Sequence, residues 1–170
     1  MPIDAEMFYR EGGPADLPQL RQLAIESWYR FEAGLLPENW TLLWNTIRNA
    51  QTYETLLACS KCLVCETGEG RIVGMVFLVP KGNPTALYLS GWSVVRFLTV
   101  HPDFEGLGIG RKLMADCIMQ AKRNGEAVMA LHTSEMMNNA RRLYENLGFR
   151  IIREIEPRFG KRYWLYKLEL

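Results

Sequence analysis

The sequence predicts an α/β (α+β) fold, and three observations lead to it. Runs rich in Val, Ile, Leu and aromatic residues alternate with segments whose apolar positions recur at helical spacing. The strand-like runs are short and bounded by turns that carry glycine or proline. The chain has 170 residues, 48% of them hydrophobic, with no repeat, linker or low-complexity stretch, which suits a single domain over residues 1–170.

Met7 to Arg10 reads as a short first strand, broken by Glu11-Gly12-Gly13. Asp16 is a suitable N-cap for a helix whose apolar face carries Leu17, Leu20, Leu23, Ala24, Trp28 and Phe31. Pro37 opens a second helix, with Trp40, Leu43, Trp44 and Ile47 on one face, and a short third helical piece covers Tyr53 to Cys59. Cys62–Glu66 and Arg71–Pro80 form a hairpin around Thr67-Gly68-Glu69-Gly70. Lys81 to Gly91 is an irregular connection whose Leu87-Tyr88-Leu89 is costly to expose unless it packs or functions. A strand from Trp92 to Val100 leads through His101-Pro102-Asp103 into Gly106-Leu107-Gly108-Ile109-Gly110, and a helix runs from about Arg111 to Asn124, stopped by Gly125. Ala127–His132 is short and apolar enough for a buried strand. Asn139–Leu147 is a helix with Gly148 as its C′ residue, and Phe149–Ile155 and Lys161–Leu168 are two strands around a turn at Pro157–Gly160.

Lys plus Arg (20) nearly balances Asp plus Glu (19), so no long-range field favours nucleic acid or an anionic membrane, and any anion site must be local. No apolar stretch reaches the ~18 residues of a membrane-spanning helix. The Met1–Glu6 start lacks the basic and apolar regions of a signal peptide, so a cytoplasmic location is the expectation. Cys59, Cys62 and Cys65 form a Cys-x-x-Cys-x-x-Cys run. A closed zinc site needs four ligands, Cys117 falls within a helix, and strand pleating aims Cys62 and Cys65 at opposite faces. No metal is expected, and buried reduced thiols are the preferred reading.

The strand, glycine loop and helix start at Trp92–Arg111 build an anion cradle. Glycine permits positive φ and close backbone approach, and the first helical amides lack intrahelical acceptors. A phosphate or pyrophosphate is the natural guest, with a plain structural turn as the alternative. No Gly-Lys-Ser/Thr follows the glycines, so this is not a Walker loop, and the spacing does not make a dinucleotide fingerprint.

Three blocks carry a resemblance to a known family. They are Arg96-Phe97-Leu98-Thr99-Val100-His101-Pro102, Glu105-Gly106-Leu107-Gly108-Ile109-Gly110-Arg111, and Ala140-Arg141-Arg142-Leu143-Tyr144-Glu145-Asn146-Leu147-Gly148-Phe149. In order and spacing the chain resembles the GNAT superfamily of acyl-coenzyme A-dependent N-acyltransferases over residues 92 to about 155. The resemblance implies a mixed, mostly antiparallel central sheet of about six to seven strands, splayed at the central pair, with helices on both faces. It implies that backbone at Leu98, Thr99 and Val100 pairs with the pantetheine arm of acetyl-CoA, the co-substrate, as an added strand would. It also implies that Gly106, Leu107, Gly108, Ile109, Gly110 and Arg111 hold the pyrophosphate. Gly108 and Gly110 match the family motif, while Glu105 stands where Gln or Arg is usual. Arg111, Lys112 or Arg142 would meet the 3′-phosphate and adenine end. Met137 stands where the family often has asparagine, and Asn138 or Asn139 would substitute.

Tyr144 is the candidate general acid, because expulsion of a thiolate calls for a proton donor near the sulfur. Helical periodicity by itself favours a core tyrosine with a wet tip, since Ala140, Leu143 and Leu147 share its face; the family match favours the acid. A base is not singled out: Glu26, Glu32, Glu66 and Glu135 sit in no selecting pattern, and His101 and His132 read as turn or strand-end residues. An amide at Leu98 or Thr99 would polarise the thioester carbonyl, again by resemblance. The expected activity is transfer of an acetyl group to a primary amine of a small molecule or protein by direct attack in a ternary complex, the alternative being a catalytically silent coenzyme A sensor. The acceptor is placed between Trp28, Tyr29 and Phe31 and the Lys81–Gly91 connection. Partners would be acetyl-CoA and an amine acceptor, without nucleic acid or membrane; a homodimer is allowed.

Overall fold

Among the described residues, strand-forming residues cluster in seven runs, and all seven join one sheet. A computed structural model describes residues 6–170; the Met1–Ala5 part of the start read above for export signals lies outside the described residues. The strands are Met7–Gly12 (β1), Lys61–Thr67 (β2), Ile72–Val79 (β3), Trp92–Val100 (β4), Val128–Ser134 (β5), Arg150–Arg158 (β6) and Lys161–Glu169 (β7). Their order is β1-β2-β3-β4-β5-β7-β6, and every neighbouring pair is antiparallel except the parallel β4–β5 pair.

Helices cover both faces. Leu17–Trp28 (α1), Pro37–Arg48 (α2) and Ala50–Cys59 (α3) bury Leu20, Leu23, Leu43, Ile47 and Tyr53 against Met75 and Phe77 of β3. Ile109–Arg123 (α4) and Asn138–Asn146 (α5) bury Leu113, Met114, Cys117 and Tyr144 against Val76, Leu78 and Met129 on the opposite face. Alternation along β3 feeds both cores, as expected of a strand buried on two sides. Among the described residues no helix is long and apolar enough to cross a membrane.

Several local expectations change. Asp16 does not cap α1 with its side chain; its carboxylate accepts from the Gly13 amide at 2.9 Å and pairs with Arg10 at 2.9 Å, closing the 3-10 turn Pro14–Asp16 instead. Helix α3 starts earlier than expected because Asn49 accepts from the Gln51 amide. Helix α4 likewise starts at Ile109 rather than Arg111. Strand β6 runs through Pro157, which its edge position tolerates, so the β6–β7 turn tightens to Phe159 and Gly160, both at positive φ. Cys62 and Cys65 lie in opposite cores, as the pleat requires, and burial pushes the Cys62 and Cys117 thiols up to about 12. Cys59 departs from the buried reading and is exposed at the end of α3.

Gly74 of β3 sets how closely α4 approaches the sheet. A Cβ there would lie 2.7 Å from Ile109 Cγ2 and 3.0 Å from Leu113 Cδ1, so those side chains, or α4 with them, would have to shift. Gly74→Ala is therefore expected to cost about 1–3 kcal/mol, the usual penalty of overpacking. Thermal unfolding checks this, and a midpoint equal to that of the unmodified protein would show that the helix is not seated on Gly74.

Candidate active site

The parallel β4–β5 ladder is short. It joins Trp92 to Val128, Ser93 to Met129 and Val94 to Ala130, and no later pairing follows among the described residues. On its other side β4 stays paired with β3 as far as Val100, across an irregularity in which Phe97 adopts φ 54°. Positive φ at a bulky residue is strained, and the surrounding core holds it: Phe97 packs edge-on against Tyr53 with ring centroids 6.0 Å apart. The sheet thus opens at Leu98, Thr99 and Val100, whose β5-facing backbone has no strand partner among the described residues.

Two cavities flank this opening. The larger, about 710 Å3, runs from Leu98, Thr99 and Val100 to Gly106, Gly108, Ile109, Gly110 and Arg111, with Asn138 and Asn139 on the far wall. Gly106 and Gly108 take φ 78° and 79°, and nothing lies within 4 Å of where either Cβ would stand. Gly108 caps α4, and the first intrahelical bond runs from the Lys112 amide to the Gly108 carbonyl at 3.0 Å. The amides of Ile109, Gly110 and Arg111 therefore precede the bonded ladder and are free to meet an anion.

The smaller cavity, about 260 Å3, lies on the other side of Leu98 and includes Arg96, His132, Tyr144, Arg158 and Phe159. Trp28, Leu98, Met137 and Ala140 line both cavities, so the two meet at the splay. Tyr144 is buried, and its turn of α5 is fixed by a helix stop in which the Phe149 amide bonds the Tyr144 carbonyl at 3.0 Å and the Gly148 amide bonds the Glu145 carbonyl at 3.1 Å. Burial pushes the phenol pKa well above its usual value, so Tyr144 keeps its proton at neutral pH.

Other expected residues fall elsewhere. Lys112 Nζ pairs with Asp116 at 2.8 Å and lies over the Tyr9 ring, away from both cavities, and Leu107 is exposed at the loop tip. Glu105 lines the cradle, and its carboxylate is neutralised by Arg30 at 2.8 Å. None of the four glutamates weighed as bases lines either cavity: Glu26 pairs with Arg71 and His101, Glu66 with Arg10, and Glu135 accepts from the Arg162 amide. His101 Nδ1 accepts from the Asp103 amide at 3.1 Å and so shapes the turn before the loop. His132, in contrast, lies inside β5 and lines the smaller cavity, because the strand extends to Ser134. The Lys81–Gly91 connection reaches this region through buried Tyr88, whose hydroxyl bonds His132 Nδ1, and through Leu87, which packs against the same cluster as Tyr163. Tyr29 is exposed, Phe31 lines the larger cavity, and the smaller cavity is walled instead by α2 and the β6–β7 turn.

Residues 58–151 match the family model described as an acetyltransferase (GNAT) domain. The chain belongs to the GNAT acetyltransferase family. Its seven-stranded, mostly antiparallel sheet flanked by helices is the GNAT fold, shared with PaiA N-acetyltransferase from Thermoplasma acidophilum, solved in complex with coenzyme A, at a TM-score of 0.77 and 16% identity over 97% of this chain and 99% of that one. Human N-acetyltransferase 8B is 29% identical over 135 residues, covering 79% of this chain and 55% of that protein. L-amino acid N-acyltransferase MnaT from Escherichia coli strain K12 is 34% identical over 68 residues, 39% of each chain. The GNAT chain described here thus aligns with about half or less of the length of these curated relatives.

Proposed function

We propose that this protein is an acyltransferase that moves the acetyl group of acetyl-CoA to a primary amine by direct attack in a ternary complex. One observation carries the reading: a glycine-built anion cradle and a cavity holding a buried tyrosine meet in the opening between β4 and β5, where both are lined by Leu98. The larger cavity suits the co-substrate. Its uncrowded glycines and unbonded first-turn amides match a pyrophosphate, and the unpaired edge of Leu98–Val100 matches the amide-bearing pantetheine arm. Arg30 bridges to Glu105 at the same cradle and offsets the carboxylate there.

The chemistry then follows from position. The amine nitrogen attacks the thioester carbonyl carbon, a C–N bond forms and the C–S bond breaks. The Tyr144 hydroxyl gives its proton to the departing sulfur, and the proton shed by the nitrogen restores the tyrosine, leaving an amide and a free thiol. An amide at Leu98 or Thr99 is the donor suited to the carbonyl oxygen. The reading takes residues 1–170 as one catalytic domain, working in the cytoplasm on an amine and not on nucleic acid.

Thiol release from acetyl-CoA, followed with a panel of primary amines, tests the proposal. Amine-dependent release with matching amide formation is the expected result. Tight coenzyme A binding with no release for any amine would make the protein a sensor and overturn the enzyme reading.

A further inference from the structure

The smaller cavity holds two guanidiniums and no carboxylate. Arg96 of β4 and Arg158 at the end of β6 both line it. Among the described residues neither forms an ion pair, as holds for most of the arginines, and no Asp or Glu lines the cavity beside them. Arg158 Nη1 lies 3.3 Å from His132 Nε2. A guanidinium only donates, so Nε2 accepts, and Nδ1 carries the ring proton and donates it to the Tyr88 hydroxyl. The imidazole is therefore neutral and offsets neither arginine. Burial, and then the charges of Arg158 and Arg96, push its pKa down to about 3, in keeping with that assignment.

Arg96 is half-buried and Arg158 exposed at the mouth of the cavity, where a ligand can reach both; a planar guanidinium fork matches a carboxylate in two-point contact. We propose that the acceptor is an amine that also carries a carboxylate, most simply an α-amino acid with an apolar side chain, and that Arg96 and Arg158 bind that carboxylate. The proposal rests on the acetyltransfer reading above and takes the smaller cavity, which Tyr144 lines, as the acceptor site. The remaining wall suits such a molecule: Leu43, Ile47, Phe159 and Tyr163 offer an apolar surface, and about 260 Å3 fits a small ligand rather than a folded one. The same charges also address the missing base. Two guanidiniums against one carboxylate leave a net positive surround, which favours the neutral, nucleophilic form of the bound amine over its ammonium.

The test compares L-leucine and L-phenylalanine with the amines that remain when their carboxylates are removed, isopentylamine and phenethylamine. The acids are expected to be acetylated with kcat/KM roughly tenfold or more above the amines, the scale of a charge-assisted two-point contact. Arg158→Ala and Arg96→Ala should each bring that ratio towards one, chiefly through KM of the acid, with Arg158→Lys in between. Equal rates for acid and amine, or variants that lower both in parallel, would overturn the clamp. Calorimetric titration of L-phenylalanine with coenzyme A present separates this from the acetyltransfer reading. Acid binding that Arg158→Ala abolishes would sustain the clamp even if nothing were acetylated, and absence of acid binding overturns it whatever the turnover.

Discussion

Tyr144→Phe is expected to lower kcat by roughly 100-fold or more, the lower end of what a positioned proton donor contributes. The substitution removes one oxygen and keeps the ring, which packs against Phe149 with centroids 5.8 Å apart inside the core between the sheet and α4. Folding and coenzyme A affinity should therefore be preserved, so the loss should appear in kcat at an unchanged thermal midpoint. Because burial raises the phenol pKa, the donor stays protonated through neutral pH, and the deficit should not be recovered by raising the pH within that range. Turnover equal to that of the unmodified protein would transfer the proton delivery to water and leave Tyr144 as a core residue.

What could be read in the sequence is what is encoded locally. The loop at Gly106–Gly110 is legible because strand, positive-φ glycines and helix start follow one another within a few residues, and the stop at Gly148 fixes the turn that presents Tyr144. Helix α3 starts earlier than its apolar spacing suggests because one capping side chain, Asn49, decides, whereas α1 begins after Asp16 as expected although that side chain turns back to Arg10 and the Gly13 amide. The smaller cavity is not legible in the sequence. Arg96, His132 and Arg158 come from β4, β5 and β6, and they meet only because β7 pairs with both β5 and β6 and places the β6–β7 turn beside the splay. Nor does any glycine announce the positive φ at Phe97; tertiary packing imposes it on an ordinary strand residue. The pairing of Arg30 with Glu105 is likewise a long-range event, and it removes the repulsion that a lone glutamate would present to a pyrophosphate.

Gly108→Glu is expected to raise the dissociation constant for coenzyme A by roughly tenfold or more, since a left-handed residue other than glycine costs ~1–2 kcal/mol before any charge is counted. Gly108 has φ 79° and caps α4, and nothing stands within 4 Å of the Cβ that a substitution would add. The loss therefore cannot come from collision within the free protein. It has two separable sources: backbone strain that turns the first-turn amides away from their ligand, and a carboxylate set against the anion those amides would hold. Gly108→Ala carries the first source alone and should fall between the glutamate variant and the unmodified protein. Gly110→Ala provides the contrast, because its backbone is not left-handed and the new methyl would meet only Leu143 Cδ2 at 3.4 Å and Val100 Cγ2 at 3.7 Å. Calorimetric titration of coenzyme A across the three variants orders them. If Gly108→Glu bound coenzyme A as tightly as the unmodified protein, the cradle at the start of α4 would not be where the pyrophosphate sits.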